Sequence, residues 1–110
     1  MEDVTAIQRQ TNLTLEEISE LLDSDAPGYP RCLLLNELGI IAEENKTAEA
    51  KLRGFIFTEE NPNGKCAAYG FLSRIKEPDA ETTEAIAQFK ADPQNAEIVT
   101  FADRMNKNLG

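Results

Sequence analysis

The stretch that decides the fold class is KLRGFIFTEENPNGKCAAYGFLSRI, residues 51–75. Two mostly apolar runs, 51–58 and 65–75, flank the tetrapeptide Asn-Pro-Asn-Gly at 61–64. Asn-Gly between apolar runs is the strongest short signal for a β-hairpin, because both residues tolerate the positive φ angles of a type I′ turn. The sequence therefore predicts an antiparallel hairpin that pairs residues 51–58 with residues 65–75.

Both faces of this predicted hairpin are fairly apolar, and one of them also carries positive charge. In the predicted register that face includes Arg53, Phe55, Phe57 and Arg74. Aromatic side chains interleaved with basic ones are typical of grooves that bind single-stranded nucleic acid. Binding of a single strand by the sheet face is therefore one hypothesis. The competing interpretation places the two phenylalanines in the core, with the arginines at the edge of the sheet.

Helical signals lie on both sides of the hairpin. Residues 14–17, Thr-Leu-Glu-Glu, form a capping box and are followed by apolar residues at helical spacing, so we expect a helix over 14–24. Asp79 and Asp92 are good N-cap residues for two further helices near the C-terminus, since Asp92 precedes a proline at the first helical position.

Residues 31–42 fit either a strand or a helix. The run Arg-Cys-Leu-Leu-Leu-Asn at 31–36 is too short and too uniformly apolar for its periodicity to separate the two. We favour a buried strand over 31–36 and a second short strand at 39–42.

Together these elements predict one α+β domain over residues 1–110. A small antiparallel sheet built on the central β-hairpin would be packed by one N-terminal and two C-terminal helices. The apolar pattern predicts a core of Ile18, Leu21, Leu22, Leu33, Leu35, Leu52, Ile56, Tyr69, Phe71, Ile75, Ile86, Phe89, Ile98, Ala102 and Met105.

Negative charge is concentrated in the two ends of the chain. The net charge is −9, of which residues 1–29 carry −6 and residues 77–110 carry −4, whereas residues 30–76 carry +1. Such a field repels nucleic acid from the ends and attracts basic proteins. The competing interpretation is that the acidity only keeps the protein in solution.

The composition argues against catalysis. The chain has no histidine, which removes the commonest general base and the commonest metal ligand. The two cysteines, Cys32 and Cys66, are too few for a zinc site and have no obvious activating base, so we interpret them as buried thiols. We therefore expect no enzyme activity, no cofactor and no metal.

The leading functional hypothesis is an acidic protein-binding module, an inhibitor or adaptor that mimics DNA towards a basic nucleic-acid-binding protein. Its carboxylates would stand where phosphates otherwise bind. The residues we assign to this surface are Glu16, Glu17, Glu20, Asp23, Glu81 and Glu84. A third hypothesis is a structural subunit that associates with copies of itself. An acidic start and the lack of a long apolar run predict a cytoplasmic protein without a membrane partner.

Overall fold

The fold is helical throughout the part of the chain that the computed structural model describes, residues 9–24 and 28–109. These residues form six α-helices and no β-strand, so the predicted α+β class is wrong. The helices are α1 (Leu15–Ser24), α2 (Arg31–Ala42), α3 (Lys46–Thr58), α4 (Pro62–Leu72), α5 (Ala80–Ala91) and α6 (Ala96–Leu109), with a 3₁₀ turn at Pro93–Asn95.

The predicted hairpin turn is the junction between two helices. Asn61 is the N-cap of α4, and its side-chain oxygen accepts a hydrogen bond from the N–H of Asn63 at 2.9 Å. Pro62 occupies the first helical position, where a proline costs no hydrogen bond and its fixed φ angle suits the helix. The Asn-Gly signal is overridden because the proline before it starts a helix.

The runs that flank this junction are apolar at helical spacing. Ala48, Leu52 and Ile56 are buried along one side of α3, and Ala68 and Leu72 are buried along one side of α4. In the predicted hairpin, Leu52 and Ile56 fall on one face and Ala68 and Leu72 on the other. Neither face of that hairpin was therefore polar.

Residues 31–42 form a helix, so the strands expected at 31–36 and 39–42 are also wrong. Leu34, Leu35 and Leu38 are all buried in α2. This helix packs against α1, α3 and α4, and burial on several sides explains why its sequence shows no amphipathic period.

The three helices predicted outside the hairpin are present. At the start of α1 the backbone N–H of Glu17 donates to the Thr14 hydroxyl at 3.1 Å, and the Glu17 carboxylate accepts from the N–H of Thr14 at 2.9 Å. Asp79 is the N-cap residue of α5, although its side chain makes no capping hydrogen bond. Asp92 caps the 3₁₀ turn that leads into α6.

The helices pack in two rows. Helices α2, α4 and α6 lie side by side in one row, while α3 packs against both α2 and α4 and also against α5 in the second row. Helix α1 packs on α2 and lines a shallow depression together with α3. Helices α2, α4 and α6 of the first row therefore alternate along the chain with α1, α3 and α5, which we call the second row.

A buried glutamate in α3 ties the second row together. The Glu49 carboxylate accepts hydrogen bonds from the Thr82 hydroxyl at 2.6 Å and from the N–H of Asp79 at 2.8 Å, and it pairs with Lys46 at 2.9 Å. Burial alone would raise the pKa of Glu49, but the bonds from Thr82, Asp79 and Lys46 outweigh it and the pKa is lowered. The carboxylate thus holds the start of α5 against α3.

Two more buried glutamates join distant segments. Glu59, just after α3, pairs with Arg31 at the start of α2, with an N–O distance of 2.9 Å. Gly64 makes room for it, because a Cβ atom at residue 64 would overlap the Glu59 side chain. Glu37 of α2 accepts from Arg9 at 3.0 Å and from the backbone of residues 10 and 11. These contacts fix the segment before α1.

The core largely contains the residues that the apolar pattern predicted. Ten of them are buried, namely Ile18, Leu22, Leu35, Leu52, Ile56, Tyr69, Phe71, Ile75, Phe89 and Ala102. Leu21, Leu33, Ile86 and Ile98 are half-buried, whereas Met105 is 46% exposed and is not a core residue. No helix in the described part is long and apolar enough to cross a bilayer.

Candidate binding groove

The row of α2, α4 and α6 contains an open groove of about 280 Å³. Its floor is made by Ala67, Gly70, Phe71 and Ala102. Three of these four residues have a small side chain or none, so the three helices pack together without filling the space above their contact. The groove follows from the small residues of α4 and α6 and is mostly apolar.

The outer edge of this groove carries two large apolar side chains. Phe101 is 55% exposed and Met105 is 46% exposed, and they lie one turn apart on α6. An exposed aromatic ring and a flexible thioether beside an apolar cavity are typical of surfaces that bind another molecule. The edge and the floor together form one continuous apolar surface.

Two free thiols line the same groove from two neighbouring helices. Cys32 lies on α2 and Cys66 on α4, and both are half-buried. Burial, together with the nearby Cys32, raises the pKa of the Cys66 thiol. A thiol with a raised pKa is a poor nucleophile, which agrees with a role in packing or binding. The interpretation of both cysteines as simply buried was incomplete.

Polar groups lie at both ends of the groove. Asn63 lies at the start of α4, Asn36 lies on α2, and Asn106 and Arg74 lie near the end of α4. Asn106 donates to the Gly70 carbonyl at 3.0 Å and to the Ser73 hydroxyl at 2.9 Å, which fixes its side chain. The Arg74 guanidinium lies 5.6 Å from the centroid of the Phe71 ring. The groove is therefore an apolar surface with a single charged group.

The six acidic residues predicted as a partner surface lie on the second row. Those of α1 are exposed, and three of them, Glu16, Glu20 and Asp23, line the shallow depression beside α3. Glu81 and Glu84 are exposed on α5. None of the six, including Glu17, forms an ion pair with an arginine or lysine among the described residues.

Of the four residues of the predicted sheet face, only Arg53 and Phe57 share a surface, a shallow depression between α3 and α5. Arg53 donates to the Thr82 hydroxyl at 3.1 Å, Phe55 lies under Arg31, and Phe57 is exposed on α3. Arg74 alone reaches the groove on the other row. The described residues form no sheet, so these four side chains are not aligned on one face as the prediction required. Binding of single-stranded nucleic acid stays a hypothesis.

The sequence contained one signal for the groove, the apolar stripe over residues 98–109, which had been interpreted as core or as a surface between copies. Helix α6 carries a broad apolar stripe: Ile98, Phe101 and Met105 recur at helical spacing on one face, and Val99 widens it. Ile98 and Val99 are half-buried, and the other two are exposed. The apolar stripe of α6 is thus wider than the part of it that the neighbouring helices bury, which indicates an exposed apolar surface.

Comparisons with known proteins identify no relative, since no family model, curated protein or solved structure matches this chain significantly. Among the described residues, no three cysteine, aspartate or glutamate side chains come together as a metal ion would require. The chemistry of the groove is thus the basis for any functional proposal.

Proposed function

We propose that this chain is a non-enzymatic protein-interaction module whose α2–α4–α6 groove binds an amphipathic helix of a partner protein. The observation that carries the proposal is the exposure of Phe101 and Met105 beside an apolar cavity. Helices that bind in grooves insert apolar side chains spaced three or four residues apart, and a surface of this kind accommodates them. A cytosolic setting is part of the proposal, because it keeps Cys32 and Cys66 reduced.

The length of the groove supports a helix as its occupant. The lining residues follow α4 from Asn63 to Phe71 and end at Arg74 just beyond it, a path of about 16 Å at the helical rise per residue. A helix of about three turns laid along this path would place two or three apolar side chains over the floor. The cavity itself is small for a drug-sized ligand but sufficient for a few side chains.

Charge also favours a protein partner with an acidic polar face. Helices α2, α4 and α6 contain four basic and three acidic residues, whereas α1, α3 and α5 contain four basic and seven acidic residues. The groove therefore lies on the least negative row of a chain with net charge −9. A partner helix that carries carboxylates beside its apolar residues is therefore repelled less by the row of α2, α4 and α6 than by the row of α1, α3 and α5.

The proposal is tested by selection from a displayed library of 20-residue amphipathic helices, in which the apolar positions vary among apolar residues and the polar positions are fully randomised. We expect the protein to enrich a family of related helices. A Phe101→Ser/Met105→Ser variant should bind them at least about tenfold more weakly. Phe57→Ser is the matched control, because Phe57 is 52% exposed but lies on α3. Equal loss in the control, or no enrichment, contradicts the proposal.

The acidic residues of α1 and α5, which we call the acidic row, support a second candidate, binding of a basic nucleic-acid-binding protein by DNA mimicry. The specific observation in its favour is that all six carboxylates assigned to this surface are exposed and have no ion pair with described residues. Attraction between exposed charges is screened over about 10 Å at 0.1 M salt, so such binding would weaken steeply with salt.

A charge-matched pair of variants tests this second candidate. We expect Glu16→Gln/Glu17→Gln/Glu20→Gln to abolish salt-sensitive capture of basic proteins from nuclease-treated lysate. The control is Glu43→Gln/Glu44→Gln/Glu60→Gln, which removes the same charge from exposed positions outside α1 and α5. If both triple variants lose capture equally, overall charge and not the acidic row is responsible.

A further inference from the structure

We infer that the helix bound in the α2–α4–α6 groove presents an aspartate or glutamate side chain to Arg74; this inference rests on the proposed function. Arg74 lines one end of the groove, two residues beyond the end of α4. It is half-buried, and its backbone N–H donates to the Phe71 carbonyl at 3.1 Å, so the residue is held in place.

The guanidinium of Arg74 lacks a carboxylate of its own. No hydrogen bond or ion pair joins it to another described residue, and the groove lining contains no aspartate or glutamate. Its Cζ atom lies over the Phe71 ring, 5.6 Å from the ring centroid. The other half-buried arginines each have a partner. Arg9 pairs with Glu37 and Arg31 with Glu59. Arg53 donates to the Thr82 hydroxyl.

This arrangement suits a carboxylate from outside the chain. A guanidinium is weakly hydrated, and its N–H groups can donate in parallel to both oxygens of a carboxylate. The neighbouring polar group in the lining is the neutral amide of Asn106. An anionic side chain would thus meet one positive charge at the end of an otherwise neutral, apolar groove.

The position of Arg74 also predicts where the acidic residue lies in the bound helix. The apolar floor extends along α4 over Ala67, Gly70 and Phe71, and Arg74 follows one turn further on. A helix lying along α4 would therefore carry its carboxylate three or four residues beyond its last apolar anchor, because residues at that spacing share a face. The order of anchor and acid sets the direction in which the helix binds.

A structural role for Arg74 has to be separated from recognition. A positive charge near the end of α4 also interacts favourably with the negative end of the helix dipole. Loss of that interaction would lower stability without changing which helices bind. The experiment therefore measures which residue type the protein prefers at one position of the bound helix.

The probe is the same displayed library of amphipathic helices. We expect the wild-type protein to enrich aspartate or glutamate at one position next to the apolar anchors, and Arg74→Gln to lose this preference while still selecting the apolar anchors. Replacement of the acid by glutamine in a selected peptide should weaken binding about tenfold to a hundredfold. Arg74→Glu should enrich lysine or arginine at that position instead.

Lys76→Gln is the control, since it removes the same charge from an exposed position two residues away and should leave the preference unchanged. Selection of apolar anchors without an acidic preference overturns the inference and leaves the proposed function in place. An acidic preference that persists in Arg74→Gln also overturns it. If no helix is enriched, both the inference and the proposed function are overturned.

Discussion

Gly39 of α2 packs directly against the ring of Phe71 of α4, because no side chain separates the two helices at that point. A Cβ atom at residue 39 would overlap the ring. Phe71 is also part of the groove floor. The close approach of these two residues therefore sets both the packing of the first row and the shape of the groove.

We expect Gly39→Ala to destabilise the protein by about 1–3 kcal/mol, because Phe71 or the helices must move to admit the methyl group. Gly54→Ala is the matched control: nothing lies within 4 Å of the added Cβ atom in α3, so the gain in helix propensity should stabilise the protein by up to about 1 kcal/mol. Urea unfolding measures both. Equal effects of the two substitutions would contradict the close α2–α4 contact.

Acid should unfold the protein partly by protonating Glu37 and Glu49. Both have a folded-state pKa below the ordinary value of 4.5. A lowered pKa means that the folded state binds the proton more weakly than the unfolded state does. The stabilisation is therefore complete above the ordinary value of 4.5 and is lost as the pH falls through the folded pKa. The free energy of unfolding, measured between pH 7 and pH 3, should decrease over the acidic part of this range.

Glu49→Gln isolates one of these contributions. We expect it to cost about 2 kcal/mol at pH 7, since the donors from Thr82 and Asp79 lose a charged acceptor. The variant should also lose less stability than the wild type on acidification. Glu44→Gln, at an exposed position, is the control and should change neither quantity. An unchanged acid profile for Glu49→Gln would contradict the anchoring role of this carboxylate.

Alkylation of the two thiols provides a probe of the groove. Because its pKa is raised, Cys66 should react slowly with iodoacetamide at pH 7 and faster as the pH increases, when compared with the same residue in urea. A helix selected from the library should protect Cys32 and Cys66 from the reagent. Mass spectrometry of the labelled peptides measures this. Labelling that is unaffected by a bound helix would place the binding site elsewhere.

The oligomeric state tests whether the groove is filled by a second copy of the chain. Since we assign the groove to another protein, we expect light scattering to show a monomer at high protein concentration. A dimer that dissociates in Phe101→Ser/Met105→Ser would instead show that the exposed edge of α6 is a self-association surface. That result would support the hypothesis of a structural subunit and contradict the proposed occupant.

The limits of sequence-based prediction are clearest at residues 61–64. Asn-Gly favours a hairpin, yet Asn61 and Pro62 together favour a helix start, and the apolar residues on either side match helical spacing. Local signals conflicted there, and packing against α2 and α6 decided the outcome. In contrast, the Thr14–Glu17 capping box had no competing signal, and the helix lies where it was predicted.

Burial was predicted better than secondary structure, because a residue such as Leu52 or Phe89 is apolar in any fold. The buried glutamates Glu37, Glu49 and Glu59 were missed for the opposite reason. Their partners are distant in sequence, so nothing in the local pattern distinguishes them from exposed acids. The groove was missed because it depends on three helices coming together, two of which, α2 and α4, had been assigned to strands.

The most direct test of the proposed function is an amide NMR titration of the labelled protein with the tightest-binding helix from the library. Binding in the groove predicts shifts concentrated at α2, α4 and α6, at Cys32, Cys66, Gly70, Phe101 and Met105, with little change in α1 and α5. Shifts concentrated at Glu16, Glu20 and Glu81 would contradict it, and so would a library that contains no binding helix.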